Sequence, residues 1–290
     1  MKTPKRALPD LSLRERANFL LTNRIPRRLL TRLMGWYSRI ENRTLARLSI
    51  WIWQRFADDL RLDEAASTDF QSVHDCFTRK LRPDARPINA APEVLISPCD
   101  AVVGEFGNVA DLTVIQAKGF PYTLGELLGN ACLAEPYRHG RFVTLRLKSS
   151  MYHHFHAPLA GEVRGISYIS GDTWNVNPIA LKKIERLFCR NERAVIQLQS
   201  VSPEQTITLV PVAAILVASM RLEGLTAPLN LQYKGPNQIN LQRRYQKGEP
   251  MGYFEHGSTI VLLTTRSFAF CNSITTGEII RMGQPLMYLS

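Results

Sequence analysis

From about residue 90 onward, apolar residues recur at every second position, and this change of period constrains the fold more than any other feature. Val143, Leu145 and Leu147 alternate with Thr144, Arg146 and Lys148. Ala194, Ile196 and Leu198 alternate with Val195, Gln197 and Gln199. Successive side chains of a strand point to opposite faces, so a period of two marks strand. Further short apolar runs lie at Thr206–Val212, Ser258–Thr264 and Glu278–Leu289, separated by Gly and Pro. Many short strands with turn signals predict a mostly-β core over residues 91–290. One short helix is expected at Leu124–Leu128, with Thr123 as its cap and Gly129 as its stop.

Before that boundary the period is three and four. Leu29, Leu33, Trp36 or Tyr37 and Ile40 form one series; Leu45, Leu48, Ile52 and Phe56 form another. Residues 11–60 therefore read as helical, with Pro26 at a helix start, where proline fits the first turn. Pro83 and Pro87 mark an extended linker. The predicted class is α+β: N-terminal amphipathic helices in residues 1–90, followed by a core of short antiparallel strands.

The charge is uneven. The chain has 290 residues and a formal net charge of +11. Thirteen Lys and Arg lie in the first 60 residues, against five acids. Three of the four tryptophans, Trp36, Trp51 and Trp53, lie there too. Such an excess suits an anionic partner, either nucleic acid or acidic lipid. No nucleic-acid-binding motif accompanies it. Arg and Trp on an amphipathic helix suit the surface of a bilayer, and equally suit a helix packed on a core with a basic outer face. The five cysteines are scattered without a CxxC pair, which argues against a disulfide framework or a structural zinc site. The first residues contain no apolar signal-peptide segment. The longest apolar run, Leu209–Met220, falls short of the roughly 20 residues that span a bilayer. A soluble or peripheral protein in a reducing compartment is expected.

Four stretches can carry chemistry: SPCD at 97–100, QAKG at 116–119, YHHFH at 152–156 and GST at 257–259. Three of six histidines fall within the third. On a regular strand His154 and His156 share one face, while His153 takes the other. A bend at Ala157–Pro158 would let His153 and His156 approach one site. Histidine exchanges protons near neutral pH, which favours catalysis; the rival reading, a metal site, lacks companion ligands at the required spacing. A Gly-Ser-Thr tripeptide alone is ordinary turn chemistry. Here it opens an apolar strand, and Gly257 leaves its own carbonyl accessible to a nucleophile. Ser258 can attack that carbonyl given a base; His156 can be the base and Asp100 its orienting partner.

Together these stretches resemble the phosphatidylserine decarboxylases. SPCD resembles the family's SPxDG segment, YHHFHAP its YHRFHxP segment, and KGEPMGYFEHGSTIVLL its KGxExGxFxxGSTVxxLF region. QAKGFPYTLGELLG, GDTWNVNP, LFCRNER and the tail IRMGQPLMYLS look familial as well. The resemblance implies self-cleavage between Gly257 and Ser258 by a triad of Asp100, His156 and Ser258. It implies a larger chain, 1–257, and a smaller one, 258–290, whose first residue becomes a covalent pyruvoyl cofactor. That group would form a Schiff base with the substrate amine, with decarboxylation giving phosphatidylethanolamine and His153 donating the proton. It also implies a peripheral enzyme on the cytoplasmic face of the inner membrane, docked on anionic phospholipid, with αβ units that pair as homodimers.

The chain departs from the family pattern in places. Ala101 stands where glycine is usual, His154 where arginine is usual, and His256 where an apolar residue precedes the cleavage glycine. Ala213 and Ala218 occupy a segment that usually carries glycines. These departures motivate two alternatives: a membrane-bound homologue that does not process itself, and a pyruvoyl decarboxylase of another amine.

Overall fold

The structure is a computed structural model that describes residues 27–290, apart from 117–119, 202–203, 215–218 and 256–257; for residues 27–31, 201 and 204 it describes the backbone alone. The expected helical stretch at 11–26, including Pro26, lies outside the described residues. Helix α1 runs Arg27–Ser38 and α2 runs Arg43–Phe56. Asn42 caps α2, its side-chain oxygen accepting from the Leu45 N–H at 3.0 Å. That bond satisfies one of the donors left open at a helix start.

Both helices form, but most of their apolar residues are not buried. Ala46 and Ile50 are the buried positions of α2, set over Leu60, Ala65, Phe70 and Cys76. Leu33, Trp36, Leu48, Trp51, Ile52 and Phe56 face outward. Two short helices on one side of a sheet have more apolar surface than the sheet can cover.

The expected β core is present. Ten strands organise it: β1 Ala101–Asn108, β2 Arg141–Leu147, β3 His154–His156, β4 Gly161–Ile169, β5 Arg193–Val201, β6 Glu204–Ala213, β7 Ser219–Leu222, β8 Gln238–Tyr245, β9 Pro250–Phe254 and β10 Ser258–Thr264. An eight-stranded antiparallel sheet runs β8-β4-β5-β6-β10-β2-β1, ending on Ile279–Ile280. A second sheet orders Leu229–Asn230, β7, β9 and β3. The alternation predicted for β2 holds. Val143, Leu145 and Leu147 enter one core with Ile260 and Leu262, while Phe142 enters a second core with Val261 and Leu263 on the opposite face.

The run Glu278–Leu289 divides into two strands, Ile279–Ile280 and Pro285–Leu289, in different sheets. Gly283, at φ +89°, makes the turn between them, a conformation that glycine adopts without strain. The helix at Leu124–Leu128 forms as expected, with a reciprocal Thr123–Glu126 capping box and Gly129 in the left-handed region at its end.

The segment between helices and sheet is pinned rather than loose. Arg79 is buried and donates to the carbonyls of Cys76, Leu60 and Ser150. This arginine fastens the helical layer to the loop between β2 and β3. Among the described residues no helix is long and apolar enough to cross a membrane.

Candidate active site

Strand β10 is buried along its whole length and lies between β6 and β2. Ser258 opens it, opposite Leu147 on one side and Ala213 on the other. Its side chain is fully buried, and Ser258 Oγ has no hydrogen-bond partner among the described residues. An orphaned hydroxyl in the core is costly unless something uses it. His256, Gly257, Ala218 and residues 117–119 lie outside the described residues. Gln116 has a local structural role: its amide donates to the carbonyls of Leu181 and Ile184, and its oxygen accepts from the Leu187 N–H.

The three clustered histidines sit on and beside β3, and the regular-strand reading applies. His154 and His156 both pack against the Tyr152 ring, with centroids 4.9 and 5.7 Å away. His153 takes the other side and packs against Phe77 at 4.0 Å. His153 Nδ1 donates to the Met151 carbonyl at 2.7 Å, which makes Nε2 its proton-accepting nitrogen. His156 Nδ1 donates to the Gly248 carbonyl at 2.8 Å, and the Tyr152 hydroxyl meets its Nε2 at 3.1 Å. Burial pulls the His156 pKa down, against the Gly248 bond and the charge of Asp100, which raise it. His156 is thereby neutral at pH 7, as a base must be.

Asp100 is fully buried and heavily bonded. Arg86 grips both its oxygens, at 2.9 and 2.6 Å. Arg281 donates at 3.1 Å and the Met282 N–H at 2.9 Å. No hydrogen bond joins Asp100, His156 and Ser258 among the described residues. Asp100 acts on His156 through its charge alone.

Beside the Ser258 end of β10 lies a cavity of about 640 Å³. Its roof is Met34 and Tyr37 of α1 and Ser49, Trp53 and Phe56 of α2; its floor includes Arg146, Leu147, Lys148 and Ala214. Leu147 is the strand neighbour of Ser258, and Ala214 follows the other neighbour, Ala213. Phe77, packed against His153, forms part of the wall. The cavity thus touches Leu147, the strand neighbour of Ser258, and Phe77, the ring packed against His153; neither Ser258 nor a histidine is itself among the described lining residues. Gly252 in β9 completes the packing: a Cβ there would sit 2.3 Å from the Arg221 carbonyl oxygen, so the strand admits no side chain.

Residues 73–288 match the model of the phosphatidylserine decarboxylase family. The chain belongs to the phosphatidylserine decarboxylase family. It is 32% identical to a phosphatidylserine decarboxylase proenzyme of Brevibacillus brevis, over 92% of this chain and 95% of that one. Identity to the proenzymes of Psychromonas ingrahamii and Vibrio cholerae is 34% and 35%, each over 90% of this chain and 93% and 94% of theirs. A phosphatidylserine decarboxylase is an enzyme, a carboxy-lyase, and its relatives are named as proenzymes, which implies a processed form.

Sequence reasoning passed over three residues that touch or neighbour the candidate site of this decarboxylase. Arg86 looked like linker and proves to be the principal partner of Asp100. Tyr152 looked like part of a histidine motif and proves to touch His156. Glu192, fully buried in RNER, accepts from the Tyr168 hydroxyl at 2.7 Å, and burial pushes its pKa up to about 7. Ala213, beside Ser258, donates its N–H to the Glu192 carbonyl. Its place in the familial stretch LFCRNER was the available signal for Glu192. Nothing in the local sequence announced Arg86.

Proposed function

We propose that this chain cleaves itself at Gly257–Ser258, converts Ser258 to a pyruvoyl group, and decarboxylates phosphatidylserine to phosphatidylethanolamine. The observation that carries the reading is the buried Ser258 hydroxyl at the first position of β10, which has no hydrogen-bond partner among the described residues. In this reading Ser258 Oγ attacks the Gly257 carbonyl and loses its proton to His156. The Gly257–Ser258 amide bond breaks, leaving an ester. Elimination releases the Gly257 carboxylate, and water replaces the nitrogen of residue 258, which departs as ammonia. Asp100 steadies the positive charge that His156 acquires.

The residues present fit a pyruvoyl group. Residue 258 is held by the ladders of β2 and β6, and its Oγ has no competing bond among the described residues. Once formed, the group supplies a carbonyl that takes up an amine and draws off the electron pair left by carbon dioxide. His153, fixed through Met151, is the proton carrier for the product. The chamber under α1 and α2 shields the reaction from water. The outward face of Leu33, Trp36, Leu48, Trp51 and Phe56, with basic residues between, rests on an anionic bilayer.

Intact-mass measurement of the expressed protein, beside a Ser258→Ala control, tests the reading. Two chains split after residue 257, with a pyruvoyl mass on the shorter one and an uncut control, are expected. Carbon dioxide release from phosphatidylserine vesicles then tests the substrate. A single intact wild-type chain would refute self-processing.

A further inference from the structure

The cavity holds a positive charge that nothing else answers. Arg146 lines it and is partly buried, yet has no hydrogen-bond or ion-pair partner among the described residues. The buried arginines Arg79, Arg86 and Arg193 all donate to carbonyls or carboxylates. Burial alone acts on Arg146, pulling its guanidinium down from the usual arginine value. Among the described residues, the ammonium of Lys148, on the same rim, meets only the exposed Asp58, at 3.9 Å. Asp58 is the only carboxylate among the described lining residues.

We propose that Arg146, with Lys148 beside it, binds the phosphodiester of the substrate headgroup. The inference rests on the lipid substrate proposed above. Arg146 pairs with Thr259, one residue along from Ser258. Its side chain leaves the pleat on the face away from Ser258, and the cavity wraps the strand end, since Leu147, Lys148 and Ala214 line it too. Adjacent strands lie about 4.8 Å apart. The serine nitrogen and the phosphorus of the headgroup are four bonds apart, about 5 Å at ordinary bond lengths. Leu147, the strand partner of Ser258, lines the same cavity, so a phosphate at Arg146 would set the amine at the strand end where residue 258 begins, with the acyl chains directed towards Trp53 and Phe56.

Charge logic selects the phosphate over the carboxylate. The carboxylate loses its charge as carbon dioxide leaves, so a cation on it would favour the ground state. The phosphodiester keeps its charge throughout. A cation there binds ground and transition states equally, and its loss raises KM with little change in kcat. A forked guanidinium matches two phosphate oxygens, which a lysine cannot do.

The test compares processed wild-type protein with Arg146→Gln, Arg146→Lys and Arg146→Met. The probe is soluble dihexanoyl phosphatidylethanolamine, which carries the phosphodiester and no carboxylate. Loss of a charge-assisted pair predicts that Arg146→Gln weakens binding about 10- to 100-fold, with a parallel rise in KM for phosphatidylserine and nearly constant kcat. Arg146→Lys should recover part of the affinity. Arg146→Met should melt no lower than wild type, because it removes a desolvated, unpaired charge. Unchanged probe affinity in Arg146→Gln, or a fall in melting temperature that accounts for its lost activity, would overturn the proposal. A wild-type enzyme without activity on phosphatidylserine would remove the substrate reading and this inference with it. Activity with unchanged probe affinity would remove this inference alone.

Discussion

Arg39, at the end of α1, donates to the carboxylate of Glu255 at 2.6 Å, two residues before Gly257. The Glu255 side chain is almost fully buried, with Arg221 at 3.6 Å and His74 at 3.8 Å. One ion pair thus joins the first described helix to the segment that precedes the proposed cleavage bond. Under the proposed function, this pair would connect a helix at the bilayer to the residue two places before the bond to be cleaved.

If that connection is energetic, Arg39→Ala and Glu255→Gln will not be additive. A double-mutant cycle on thermal unfolding should show about 1–2 kcal/mol of coupling, the range for a partly buried charge pair. Chain cleavage should slow in both single variants. Additive effects within about 0.5 kcal/mol would show that the contact is incidental.

If His156 is the base of the proposed self-cleavage, its depressed pKa should set the pH range of that step. The base works when neutral, and burial keeps it neutral below the ordinary histidine value of 6.5. The rate of chain splitting in freshly made precursor should fall to half its maximum at a pH below 6.5. A midpoint at 6.5 or above would remove His156 from the role of base.

Arg86 should be among the most sensitive positions outside the motifs. It holds both oxygens of a fully buried carboxylate and also meets Glu64 at 2.7 Å. Arg86→Gln leaves Asp100 with Arg281 and a backbone N–H, and should cost about 3–5 kcal/mol, as for a broken buried ion pair. Arg86→Lys should recover only part of this, because lysine cannot form the fork. Denaturant unfolding of the Ser258→Ala precursor measures both without interference from cleavage.

Two buried groups should bend the stability curve in opposite directions. His154 lies between the Tyr152 and Tyr253 rings, and burial lowers its pKa to about 4. The unfolded chain then binds more protons below pH 6.5, so stability falls as pH drops towards 4, by about 3 kcal/mol in all. Glu192, raised to about 7, behaves oppositely: its contribution is complete at low pH and is lost as pH rises from 4.5 through 7, again by about 3 kcal/mol. His154→Gln should flatten the acid limb and Glu192→Gln the neutral limb. Melting curves across pH 4.5–8 in which neither variant changes the profile would show that these groups do not titrate as argued.

The outward apolar face of the helices predicts membrane contact. Trp36 and Trp51 are more than half exposed. Trp36→Glu with Trp51→Glu should lower affinity for anionic vesicles at least tenfold, since each buried aromatic is worth about 1.5–3 kcal/mol. Thermal stability should change little, because neither ring is buried in the fold. Unchanged vesicle sedimentation would assign the face to another use.

By itself, the sequence determined the period-two core, the two helices, the capped helix at Leu124–Leu128 and the motif set that marks the family. These are local properties: alternation, capping and spacing act between residues a few positions apart. Even the sides taken by His153, His154 and His156 followed from strand alternation. Only the tertiary structure decided which groups meet. Arg86 reaches Asp100, Arg39 reaches Glu255, and the Arg146 side chain meets no partner among the described residues, because of strand order and the way the helical layer lies on the sheet. Likewise the apolar stripes of α1 and α2 were legible, but not that most of them stay uncovered. A pattern records that a side chain is apolar; whether it is buried depends on how much surface the rest of the fold can offer it.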